Sequence, residues 1–589
     1  MLPRMRSWIY AIFTFLFGSL ADRLLHVASE LPLYNPVSIW RSSTSDTAGP
    51  SPLTMPLAPR PPYRLSAIQV RDLLRNNTLT VEEYARSLLG RIKERDDVVK
   101  AWIYLDPAYV LRQAQALDQV PHDQRGPLHG VAIAIKDVMN TKGTGHSAIH
   151  LGLCIAICHC SRVLMLQICP PSSALRCTKD TGRVLTHLRL PFYELPGPLS
   201  LVCLLTSLSG CTSSVISSNL EHPIGKTTTT EFTVTNSGGA GSGPETTNPH
   251  DPNRTPGGSS CGSAAAVADY QVPISLGAQT GGSIIRPASF TGVFALKPTH
   301  NSISPEGQKT FSPNFDTVGF FARTIEDLQL VADVFALKDD EPPQDIPLNQ
   351  TTVAMIKTPM WDSAGPGTVA AMKHARAVLE RSGVMVEEVS FPTEIGDLET
   401  LQKMQMALMY REAQVAFLRE YRINKTSLAP EICRLVENSS NFTNREALRA
   451  SDKYAGLRPV FDELAARYSA IITPSVIDEA PLGLENMGSA VFNTFWTGLH
   501  MPVINIPAFS GAHGMPIGLS FVAGRLRDQH LLHIGKALSG PLMAGGGWKT
   551  INDNNGSEAD SEPVEIIGDQ KSHPTDAIDN PLPSAVVVL

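Results

Sequence analysis

Two serines stand on glycine-rich backbone twenty-four residues apart: Ser259 in Gly257-Gly258-Ser259-Ser260 and Ser283 in Gly281-Gly282-Ser283. Glycine lets the main chain approach a ligand closely and adopt turns that other residues resist. A serine placed there has free N–H groups beside it, as a nucleophile with an adjacent oxyanion hole requires. Ser283 is thus a candidate nucleophile, with the N–H groups of Thr280, Gly281 and Gly282 as its candidate oxyanion hole. Lys136 lies near the end of a third feature, the apolar run Gly130-Val131-Ala132-Ile133-Ala134-Ile135-Lys136-Asp137. Apolar neighbours desolvate an ammonium and favour the neutral amine, and a neutral lysine can act as a base at physiological pH. Each feature alone has a plainer reading. The lysine could snorkel to water, and the two loops could be solvated turns or, at Gly257–Ser260, a phosphate cradle.

Positioning these groups requires a framework, and the periodicity supplies one. Thr80 followed by Glu83 predicts a capped helix start, and Val81 to Ile92 carries helical spacing. Gly130 to Asp137 predicts a buried strand. A helix is predicted from Ala264 to Asp269, directly after the first serine loop, and a strand around Leu276. Further helices are predicted at Ile325 to Phe335, Gly367 to Ser382 and Leu401 to Tyr421. Strands are predicted at Val384 to Val389, Ala470 to Pro474, Pro502 to Pro507 and Gly518 to Ala523. This alternation predicts an α/β sheet rather than a sandwich of sheets.

The chain has 589 residues, 42% hydrophobic and 18% charged, enough for one large or two modest domains. A net charge of −7 leaves no basic excess to neutralise phosphates, which excludes a general nucleic-acid binder. No run reaches the roughly eighteen apolar residues of a membrane span. Residues 1–21 read either as a secretory signal peptide or as an N-terminal extension. Localisation follows from that choice, secreted or cytoplasmic. Seven glycosylation sequons, the first at Asn76, mildly favour secretion. Residues 22–62 read as a linker, 63–540 as the folded domain, and 541–589 as a disordered acidic tail. Gly225-Lys226-Thr227 is not a nucleotide-binding loop, since Leu220 stands where the first glycine is needed. Cys154, Cys158, His159 and Cys160 lack the spacing of a zinc site.

Taken together, the lysine strand, the Gly-Gly-Ser-Ser loop and Gly281-Gly282-Ser283-Ile284-Ile285-Arg286-Pro287 resemble the amidase signature family. Gly225-Lys226-Thr227 through Glu231-Phe232, Asn248-Pro249, Phe492-Asn493, Trp496-Thr497 and Gly514 to Leu519 fit as well. The resemblance covers about Ser66 to Leu538. It implies a central mixed β-sheet covered on both faces by helices. It also implies a Ser–Ser–Lys triad with Ser283 as nucleophile, Ser259 (held by a cis peptide) as proton relay and Lys136 as base. The implied reaction is hydrolysis of a small-molecule carboxamide through an acyl-enzyme, with no metal or cofactor. Two other readings are a catalytically impaired amidase-like protein and a partner-dependent transamidating subunit.

The sequence departs from that family in two places. Residues 146–222 hold seven of the nine cysteines and no sustained periodicity. They lengthen the interval after the lysine strand by roughly fifty residues, far beyond an ordinary loop. Thr178 to Arg189 reads as the remnant of a family helix, and the rest as translated non-coding sequence. Cys261 stands where the family usually has a small Gly or Ser.

Overall fold

The caps expected near the N-terminus form. In a computed structural model that describes residues 60–141, 223–235, 245–392 and 398–548, α1 (Ala67–Arg75) starts from a Ser66–Gln69 capping box. Helix α2 (Val81–Val99) starts from the reciprocal Thr80–Glu83 pair, which satisfies two orphan N–H groups. Both oxygens of Asp118 take two more, accepting from Val81 N at 2.7 Å and Glu82 N at 3.0 Å. Asp118 ends α3 (Pro107–Asp118), so one carboxylate locks the α2–α3 hairpin.

Eleven strands form one sheet. They are β1 (Trp102–Leu105), β2 (Ile133–Lys136), β3 (Pro223–Thr227), β4 (Ile274–Gln279), β5 (Phe294–Lys297), β6 (Thr317–Ala322), β7 (Thr352–Ile356), β8 (Met385–Val389), β9 (Ala470–Pro474), β10 (Val503–Ser510) and β11 (Pro516–Val522). Their spatial order is β1-β3-β2-β4-β6-β5-β10-β11-β9-β7-β8. The sheet is mixed: β2 runs parallel to both β3 and β4, while β4 and β6 are antiparallel. Thirteen α-helices among the described residues cover its two faces. They include α4 (Cys261–Ala268) and α5 (Ile285–Thr291), each directly after a serine loop. Helices α6 (Ile325–Val334) and α7 (Pro366–Arg381) stand where the periodicity places them. Every residue of β2, β4, β6, β9 and β11 is buried, which is why these strands read as near-continuous apolar runs. The edge strand β8 is mostly exposed or half-buried instead.

Three sequence expectations change. The single helix expected over Leu401 to Tyr421 is two, α8 (Leu398–Ala416) and α9 (Leu418–Asn424). Phe417 breaks them: it is fully buried against Phe232 and Phe311, and Lys309 Nζ donates to the Ala416 carbonyl at 2.8 Å. After the short α10 (Pro430–Val436) comes the 22-residue α11 (Asn444–Ala465). It has no counterpart among the predicted helices, although a Thr443–Glu446 capping box opens it. The boundary placed at 540 falls inside α13 (Asp528–Gly545). Ordered packing continues to Trp548, which is buried with its ring edge-on to His250. The signal-peptide reading, most of the linker and the distal tail lie outside the described residues. So do residues 146–222, including Cys154, Cys158, His159, Cys160 and Thr178 to Arg189.

Candidate active site

Strand β2 delivers Lys136 at its C-terminal end, where the side chain is fully buried. Its Nζ lies 2.8 Å from Ser259 Oγ and 3.3 Å from the Ala278 carbonyl. Among the described residues it pairs with no carboxylate. Burial therefore dominates, lowering its pKa from 10.5 to about 7. Cys261 and Asp316 pull the value back up, and Arg286 pushes it down.

Ser259 precedes α4 and is itself fully buried. The Gly258–Ser259 peptide bond is cis. Thr229 Oγ1 donates to the Ser259 carbonyl at 2.9 Å. Gly257 has a positive φ of 79°, and a Cβ there would come within 2.9 Å of the Pro287 backbone. Only glycine fits a position that is both left-handed and closed in by main chain.

Ser283 lies between β4 and α5. Gln279 braces its turn. Gln279 Oε1 accepts from Ile284 N at 2.8 Å and Ile285 N at 3.0 Å, while Nε2 donates to Thr497 Oγ1 at 2.9 Å. Thr497 Oγ1 in turn donates to the Gly281 carbonyl at 2.8 Å. The carbonyls of Gly281 and Gly282 are thus engaged, the latter by Arg286 N at 2.9 Å. Among the described residues the N–H groups of Thr280, Gly281 and Gly282 have no backbone acceptor outside regular elements. A Cβ on Gly282 would meet Asn493 Oδ1 at 2.5 Å, so α12 (Val491–Gly498) also shapes the turn.

The structure brings Lys136 and Ser259 into hydrogen-bond contact. Ser283 Oγ has no hydrogen bond to either among the described residues. What joins the two serine loops is Arg286, three residues beyond Ser283. Its Nη2 and Nε donate to the Gly258 carbonyl at 2.8 and 3.2 Å, and Nη1 donates to the Gly488 carbonyl. Burial lowers its pKa to about 10, which leaves it cationic at neutral pH.

Asp316 completes the surroundings. It accepts from Thr280 Oγ1 at 2.6 Å, Phe311 N at 2.7 Å and Ser312 N at 3.0 Å. Burial raises its pKa to about 6, against the lowering effect of these bonds. The sequence pattern assigns no role to Gln279, Arg286, Thr497 or Asp316. Arg286 and Thr497 stand inside motifs that carry the family resemblance, and Gln279 immediately precedes the Thr280 turn. Asp316 is brought in at the start of β6, from a stretch without a motif.

Ser283 and the turn before it open onto a cavity that Met406, Met409, Tyr410 and Met487 also line. A larger cavity lies beneath α2 and α3. It is mainly apolar and is lined by none of Lys136, Ser259 or Ser283, so the smaller one is the candidate site. Among the described residues there is no cluster of three or more potential metal ligands, and no helix is long and apolar enough to cross a membrane.

A family model described as Amidase matches residues 83–149 and 220–532. A curated relative from Synechococcus sp., a glutamyl-tRNA(Gln) amidotransferase subunit, is 26% identical over 509 residues, 79% of this chain and 94% of the relative. Among solved structures, one titled "Crystal structure of amidase" superposes with a TM-score of 0.64 at 22% identity, over 81% of this chain and 99% of that one. A structure titled "Fatty acid amide hydrolase" gives 0.62 at 18% identity, over 82% and 87%.

Proposed function

Because the chain belongs to the amidase family, whose members act on carbon–nitrogen bonds, we propose that it hydrolyses a small carboxamide to a carboxylic acid and ammonia or an amine. The observation that carries this is the buried contact between Lys136 and Ser259, made without a carboxylate partner among the described residues. Serine is a weak nucleophile until a base takes its proton. A bridging hydroxyl can donate to one partner while accepting from another. In the proposed sequence Ser283 Oγ turns toward Ser259 as substrate binds and attacks the carbonyl carbon. Its proton passes to Ser259 Oγ, whose own proton passes to the neutral Lys136 amine. The developing oxyanion takes hydrogen bonds from the N–H groups of Thr280, Gly281 and Gly282. Lys136 returns the proton through Ser259 to the leaving nitrogen, the carbon–nitrogen bond breaks, and water hydrolyses the resulting ester of Ser283.

Ser283→Ala tests this: turnover of amides is lost while the protein stays folded. A fluorophosphonate probe labels wild-type protein at Ser283, located by mass spectrometry, and leaves the variant unlabelled. Unchanged hydrolysis by purified Ser283→Ala would sink the assignment.

A second reading rests on the amidotransferase relative, which is matched over nearly its whole length. In that reading the ammonia passes to a partner chain. Copurification of a stable partner, with glutamine the preferred amide, would favour it. We further propose that residues 146–222 are largely translated non-coding sequence; the family match omits residues 150–219. A mature transcript that encodes the whole segment would refute this.

A further inference from the structure

In the proposed hydrolysis the leaving nitrogen takes its proton through Ser259. Proton transfer needs hydrogen-bond reach, so the nitrogen and whatever it carries lie on the Ser259 side of the bound amide. The acyl group leaves the carbonyl carbon in another direction, toward the rest of the lining, to which α8 contributes Gln402, Gln405, Met406 and Met409. Room for the two halves of the substrate is therefore set by different residues.

Arg286 and Met487, both in the cavity lining, reach the Ser259 loop. Arg286 donates to the Gly258 carbonyl. Met487 packs on the same residue: a Cβ on Gly258 would collide with its Sδ, and Arg286 Nη2 lies 3.8 Å from that sulfur. Met487 is 4% exposed. The turn that carries it is pinned at the next residue, where Gly488 N donates to Asn486 Oδ1 at 2.9 Å and the Gly488 carbonyl accepts from Arg286 Nη1. A second, smaller cavity is lined by Thr230, Gly257, Cys261, Leu484 and again Met487, the one residue common to both linings among those described.

We infer that Met487 partitions these two spaces and thereby sets the room for the nitrogen substituent, so that the site takes primary carboxamides, which release ammonia, and excludes amides of bulky amines. The inference rests on the hydrolase reading of Ser283 and names the substrate class within it. It makes Met487 the specificity-determining residue for the leaving group. A hydrophobic wall discriminates against a misfit of one methylene by about ten- to two-hundred-fold. Shortening the side chain removes the wall without touching a reacting group.

The test compares hexanamide with N-benzylhexanamide, and with decanamide as a control for the acyl side, each followed as kcat/KM. Wild-type protein should prefer hexanamide over N-benzylhexanamide by about tenfold or more. Met487→Ala should cut that preference by about tenfold and leave the hexanamide-to-decanamide ratio as it was. Met487→Leu, close to methionine in volume, should keep the wild-type preference. If Met487→Ala does not fold, Met487→Val carries the same test. A wild type that hydrolyses N-benzylhexanamide as well as hexanamide overturns the inference. So does a Met487→Ala shift in the decanamide ratio as large as that in the N-benzyl ratio, or no shift in either. The same amides are also titrated by calorimetry into Ser283→Ala protein with and without Met487→Ala. Absence of wild-type turnover would remove the hydrolase reading. Tighter binding of N-benzylhexanamide on loss of Met487 would then leave the partition standing, and unchanged or absent binding would overturn it as well.

Discussion

Two buried lysines stand on adjacent parallel strands and have different partners. Lys136 ends β2, and Lys226 lies on β3 opposite Ile135. Neither is more than 1% exposed. Lys226 Nζ lies 2.8 Å from Asp137 Oδ1 and donates to the Met139 carbonyl at 2.8 Å. Oδ1 itself accepts no directed hydrogen bond among the described residues, so the contact is a charge pair. Lys136, with a hydroxyl and a carbonyl as its neighbours, has no such compensation among the described residues. Two equally buried lysines thus differ in their partners, a carboxylate for Lys226 and a hydroxyl for Lys136. A hydroxyl partner leaves the neutral amine of Lys136 accessible.

The largest effect expected from breaking this contrast is catalytic. Lys136→Met should lower amide turnover on the order of 10⁴-fold, as removal of one member of a coupled catalytic unit does. Thermal stability should hold or rise, because a buried thioether carries no desolvation cost. Lys226→Met should do the reverse of that stability effect. It strands Asp137 as a buried charge, at a cost of about 3 kcal/mol or more, read by denaturant unfolding. Adding Asp137→Leu should recover much of the loss, since both partners are then apolar. Full activity in Lys136→Met, or wild-type stability in Lys226→Met, would erase the distinction between the two sites.

The sequence exposed one of these lysines as chemically unusual and missed the nature of the other. Lys136 was legible because it terminates an unbroken apolar strand. Lys226 stands in a failed nucleotide-binding motif and in a stretch that fits the family, and neither points to a pair with Asp137, which comes from a strand end almost ninety positions earlier. The two serine loops were legible for a related reason: glycine clusters mark backbone that must turn or approach a ligand, wherever the chain then goes. The supports were not. The Arg286 link to Gly258, the Gln279–Thr497 brace and the Asp316 carboxylate are contacts between distant segments, and no local pattern encodes them. Likewise an α/β sheet is predictable from the alternating elements and its mixed character from the family resemblance, but β1, β3, β5, β6 and β7 are not among the predicted strands. The roles of the three reactive residues came from the family resemblance, because spacing alone left each loop with a plainer reading.

The smallest and sharpest test concerns how far Asp316 tunes Lys136. Lys136 must be neutral to accept a proton, and burial sets its pKa at about 7. Activity, followed as kcat/KM, should therefore rise with pH through about 7 and then level off. Asp316, with its own pKa raised by burial to about 6, is mostly anionic over the upper part of that limb and there favours the Lys136 ammonium. Asp316→Asn removes the charge with little change of shape. Its carbonyl can still accept from Phe311 and Ser312 N–H, and its amide can donate to Thr280 Oγ1. The limb should then move to lower pH, so that the variant keeps more of its plateau rate at pH 6 than the wild type does. A lowered plateau with an unmoved limb would instead mark Asp316 as a support for the Thr280 turn. In that case the difference between the two lysines would rest on Ser259 and burial, without help from a more distant charge.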